Sequence, residues 1–196
     1  MEAVEKLKHD LTVLEAMAGA MDDYLRSEIL FYPLRRGDLP QLTLGGYLMR
    51  QHRLLALRDL LNMQEQARLH EAINTFNEAL QEKVVRFERK AHDELQARLR
   101  QWREYLQEVK QGQNIAYYDS AVDTRAMIKA LIDQLRVPPY ELDEEVPRAV
   151  GRLDRELSRI WDRGDFVWPT EWQPAYPRDS YWWLYGHPRP PKDKQQ

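Results

Sequence analysis

Apolar residues recur at steps of three and four along most of the chain, which is the signature of helices with one buried face. Val4, Leu7, Leu11, Leu14, Ala18, Met21, Leu25 and Ile29 form a first stripe. They predict a helix from Val4 to about Tyr32, closed by Pro33 because a proline pushes the residue before it out of helical geometry. The loop PLRRGDLPQ follows, and Thr43 is placed to cap a second helix running to about Leu61. Gly45 and Gly46 in its first turn cost helix propensity, and their use is read as letting another backbone come close.

The longest stripe runs through Leu69, Ile73, Phe76, Leu80, Val84, Phe87, Ala91, Leu95, Leu99, Trp102, Leu106 and Val109. Its mean step of about 3.6 is the period of a straight α-helix, and a helix over 64–111 would be about 72 Å long. A compact chain of this size is only about 40 Å across. The helix is therefore expected to form a spine that shorter helices line, to break near a Thr75–Glu78 capping box, or to pack its far end on a second copy; the spine is the reading adopted. Gly112 stops it. Ser120 and Asp123 mark the start of a fourth helix, closed by Pro138 and Pro139. Asp143 and Pro147 open a fifth, with Val150, Leu153, Leu157, Ile160 and Trp161 inward and Gly164 at its C-terminal cap. No run alternates with period two for long enough to argue a sheet.

The remainder is different in kind. Residues 165–196 hold six of the eleven prolines, and eight of the twenty aromatics fall between Phe166 and Tyr185. At about 150–250 Å² each, those rings carry over about 1,000 Å² of apolar surface, more than the roughly 300–600 Å² a soluble monomer exposes in one patch. The segment must be covered. Two coverings are open: the segment wraps back on the bundle, its Trp N–H and Tyr O–H groups finding polar partners, which is the reading adopted, or part of it forms an interface. The neighbours Trp182 and Trp183 are expected to point to opposite sides, one inward and one outward. The organisation is thus an all-α bundle of about five helices over 1–164 with one long central helix, a docked aromatic wrap over 165–187, and a disordered tail over 188–196.

Composition narrows the function by exclusion. The chain has no cysteine, so thiolate metal sites, disulfides and cysteine nucleophiles are out. No stretch has the length of a membrane span and the first residues lack a signal-peptide core, so a cytoplasmic protein with no membrane partner is the expectation. The net charge of −3 provides no global attraction to nucleic acid. Arg35, Arg36, Arg50, Arg53 and Arg58 with Asp38 do make residues 35–58 locally basic. No nucleic-acid motif accompanies them, so nucleic acid is not expected as a partner, and the acids of 141–145 are the simpler counter-charge. Lys83, Arg86, Arg89, Lys90, Arg98, Arg100 and Arg103, interleaved with acids, read as a salt-bridged surface.

No catalytic, cofactor or metal set emerges. No histidine follows a glutamate at the Glu-x-x-His spacing of di-iron bundles, and only Glu5/His9 and Glu88/His92 share a helical face. Glycine signatures of phosphate loops and nucleophile elbows are missing. RGD occurs twice, at 36–38 and 163–165, without the extracellular context that adhesion requires. The expected role is therefore non-enzymatic: protein contacts, self-association foremost, through a surface made of Leu95, Leu99, Trp102 and Leu106 with Trp182, Trp183 and Tyr185. The alternative is a small-ligand or metal pocket between helices, involving His52 or Glu88/His92.

Overall fold

The computed structural model describes residues 2–191, and the expected tail beyond Pro191 lies outside the described residues. Six α-helices make up most of it: α1 (Glu2–Arg26), α2 (Leu44–Ala56), α3 (Met63–Gln81), α4 (Val84–Lys110), α5 (Tyr118–Leu135) and α6 (Glu145–Arg159). Strands β1 (Trp161–Phe166) and β2 (Tyr185–Pro188) form one antiparallel ribbon. The fold is an all-α bundle with an aromatic C-terminal wrap. α1 packs on α3 and α2, α2 packs in turn on α5, and α4 lies against α5 and α6. α2 is thus the element shared by the two halves.

The stripe over 64–111 is two helices. Lys83 leaves helical geometry at φ −130°, ψ 28°, and its ammonium pairs with Asp22 of α1. The break has a packing cause. The buried face of α3 (Leu69, Ala72, Phe76, Ala79, Leu80) lies in the half built on α1, whereas that of α4 (Phe87 to Val109) lies with α5 and α6. One straight rod cannot turn both faces to a common core. The break shortens the longest element to the 27 residues of α4, about 40 Å at 1.5 Å per residue, a length that a compact chain of this size can hold. The turn falls after α3's last buried residue, not at Thr75, whose hydroxyl donates to the Glu71 carbonyl within α3. A capping box does start α3: Asn62 accepts from the Glu65 N–H, and Glu65 accepts from the Asn62 N–H, each at 2.9 Å.

α1 also ends early, at Arg26 rather than near Tyr32. Its end is held by a distant cation: Lys90 of α4 donates to the Ser27 and Ile29 carbonyls at 2.7 and 2.8 Å, over the ring of Tyr24. Lys90, read from sequence as surface, is buried, and that burial lowers its pKa. α6 stops at Arg159, and Gly164 lies in β1 instead of capping a helix. The pairing Trp161↔Pro188, Asp162↔His187 and Arg163↔Gly186 supplies β1 with a partner from the wrap. Gly186 makes that approach possible, with φ 141° and a Cβ position only 2.0 Å from the Asp162 carbonyl oxygen. The bundle and the wrap therefore meet inside a strand that straddles position 164.

Candidate interaction surface

The residues expected to form a contact surface lie in the chain's own core. Leu95, Leu99, Trp102 and Leu106 are at most 4% exposed, and Trp183 and Tyr185 are buried with them. The reason is the break after α3: once α4 is no longer the far end of a long rod, its apolar stripe packs chiefly on α5 and α6, with α1, α2 and α3 also against it. Trp182 alone of the set is partly exposed, its ring edge-to-face with Trp161 at 5.5 Å. Trp183 is buried and Trp182 partly exposed while still packed on the core, and the pair sits in a 3₁₀ turn, Trp182–Leu184, instead of the extended chain on which the expected split rested.

What fastens the wrap is a buried guanidinium. Arg53 of α2 stacks under Trp172 at 3.9 Å, with Trp168 at 4.9 Å, and donates to the Tyr176 hydroxyl at 2.9 Å. Its other face donates to Asp10 of α1 at 2.6 Å. Arg50 approaches the second Asp10 oxygen at 3.2 Å. Burial pushes the Tyr176 phenol up to about 12, against the opposing pull of Arg53. A charge this deep is stable only because every face of it is occupied. The Trp172 N–H reaches the Ala3 carbonyl and Trp168 reaches that of Asp119, while Tyr185 donates to Tyr176. Trp183 is the exception to the expected satisfaction, because its buried N–H has no partner among the described residues.

The basic stretch 35–58 is dispersed by the same network. Arg50 and Arg53 turn inward to Asp10, and Arg36 pairs with Asp38 beside it. The acids of 141–145 serve none of these arginines: Glu144 and Glu145 pair with Arg148. Glu88 and His92 hold the loop before α6, Glu88 accepting from the Glu141 N–H and His92 Nε2 from the Asp143 N–H. Among the described residues no three carboxylate or histidine side chains gather as a metal would need. No described helix is long and apolar enough to cross a membrane.

Two open clefts flank the end of α2. One, of about 250 Å³ between α2 and α5, has an apolar floor including Leu48, Met49, Ala126 and Ala130, with His52 and Tyr181 on its wall. His52 Nε2 lies 2.7 Å from the Ala175 carbonyl and 3.3 Å from the Tyr181 hydroxyl. The other, of about 150 Å³ between α2 and α3, is lined by residues that include Leu69, His70 and Ile73. Leu55 borders both. Leu55, Leu60 and Met63, all at this corner of the chain, are 45%, 41% and 89% exposed. None of them was singled out by periodicity, because single apolar residues off the main stripe give no pattern. Asp10 was hidden likewise, being one acid among many on an amphipathic helix, and Asp123, expected at the start of the fourth helix, lies inside α5, which begins at Tyr118. Comparisons with known protein families, with curated proteins and with solved structures give no match.

Proposed function

We propose that the chain is a non-catalytic helical scaffold that works through protein contacts, with self-association through the corner where α2 meets α3. The observation that carries this reading is the exposure of Leu55, Leu60 and Met63 in the segment that joins α2 to α3, with Leu55 lining two clefts at once. Knobs and holes on one corner suit an isologous pair, in which each copy's exposed side chains enter the other's cleft. The α4 stripe plays no part in it.

The test is the mass by light scattering at micromolar concentration of the parent chain and of Leu55→Asp and Met63→Asp. The parent is expected to run as a dimer and both variants as folded monomers by circular dichroism, since each charge sits on an already exposed position. A strictly monomeric parent overturns self-association. The second reading then stands: the α2–α5 cleft, with an apolar floor and the polar wall of His52 and Tyr181, has the character of a small-molecule site.

A further inference from the structure

α6 carries a row of arginines that local charge counting did not single out. Arg148, Arg152, Arg155 and Arg159 follow one another at four, three and four residues, and so form a single stripe. The acids of α6 are already engaged: Glu145 by Arg148, Asp154 by Arg125 and Glu156 by Lys110. Among the described residues Arg152, Arg155 and Arg159 have no carboxylate within ion-pair distance, and all three are exposed.

Each end of this stripe opens on a cleft. Towards the start of α6, a groove of about 310 Å³ against α4 adds Arg100 and Arg103, one helical turn apart, to Arg152. Glu145 also lines that groove, its charge taken by Arg148 at 2.5 Å. Beyond the end of α6, a cleft of about 580 Å³ is walled by Ser158, Trp161 and Trp182 together with Arg163, Arg178 and one carboxylate, Asp179. Its two indoles are edge-to-face and both partly exposed, and Arg178 stacks over Tyr185 at 4.7 Å.

We infer that this face, from Arg100 and Arg103 along α6 to Trp161 and Trp182, binds single-stranded nucleic acid. Unpaired guanidinium groups in a row suit successive phosphates, which they engage through two N–H donors at once. Partly exposed indoles beside further arginines are what a base needs for stacking, and stacking with arginine tracking is how sequence-tolerant single-strand binders work. An acidic protein segment would satisfy the arginines but would leave the Trp161/Trp182 cleft without a flat partner. The chain's net charge of −3 does not oppose this, since screening confines each charge to about 10 Å at ordinary salt. The face is distinct from the α2–α3 corner and does not depend on self-association.

Fluorescence anisotropy of a labelled oligothymidylate about fifteen nucleotides long tests it on the full chain, within the site sizes of such binders. Binding at about 50 mM salt that weakens steeply as salt rises is expected. The triple change Arg152→Gln, Arg155→Gln, Arg159→Gln should weaken it about ten-fold or more and lower the salt slope by about 2, at roughly 0.7 per phosphate contact. Trp182→Leu should weaken binding about ten-fold with little change in that slope. No binding at low salt overturns the inference, as does a triple variant that binds like the parent. A glutamate-rich peptide that binds as tightly as the oligonucleotide would assign the face to acidic protein instead.

Discussion

Asp123 of α5 shows how a single carboxylate can work against the fold that holds it. Burial raises its pKa to about 6 from the ordinary 3.8, although Arg53 and Arg50 pull it down; Asp10 and Asp119 push it further up. The folded state therefore binds this proton more tightly than the unfolded chain does. The stabilisation from that proton is complete below about pH 4 and is lost as pH rises through about 6. Asp123→Asn stays neutral throughout, so it should be more stable than the parent by about 1–3 kcal/mol at pH 8 and no more stable at pH 4. Urea denaturation at the two pH values measures this. A variant less stable at both would mean that attraction to Arg50 and Arg53 outweighs burial.

Between elements, one close approach is at the first turn of α2. The Gly45 N–H donates to Glu94 of α4 at 3.0 Å, Gly46 donates to Thr43, and Arg98 pairs with Glu94 at 3.2 Å. A fully buried carboxylate thus occupies the positive end of α2. Burial pushes the pKa of Glu94 up, against the pull of Arg98 and the Gly45 N–H. The two glycines signalled from sequence that something comes near. It proves to be a carboxylate and the side chains of α5 rather than a backbone. A Cβ on Gly45 would lie 2.6 Å from Glu94 Oε1 and 3.0 Å from Met127 Cβ. Gly45→Ala ought to add about 1 kcal/mol through helix propensity, yet here the crowding should reverse the sign and cost about 1–3 kcal/mol. Chemical denaturation decides it, and a stabilised variant would refute the tight approach of α2 to α4.

For the whole molecule, the wrap is a structural part of the bundle. Arg53 would stand in an open socket without Trp168, Trp172 and Tyr176, β1 would lose β2, and Tyr118 would lose the Trp183 carbonyl that its hydroxyl reaches at 2.5 Å. Deleting residues 165–196 should therefore lower the melting temperature and leave a poorly soluble protein that binds hydrophobic dyes. A thermal scan in the presence of such a dye reads both. Unchanged melting would assign the aromatic segment to a partner instead of to the core.

The all-α class, the amphipathic stripes from which the helices are built and the need to cover the aromatic segment are legible in the sequence, because each follows from spacing or from apolar area within a short window. Thr43 as a cap belongs to the same local physics. Tertiary structure alone decided that α3 and α4 part at Lys83, since only the placement of α1 and α5 says which way each buried face must turn. It alone moved Leu95, Leu99, Trp102 and Leu106 from a surface to the core. It also drew Arg50 and Arg53 inward to Asp10 and left the arginines of α6 outside. Charge has no periodicity of its own: whether an arginine meets a carboxylate or water depends on residues far away in the chain, and folding brings them together or keeps them apart.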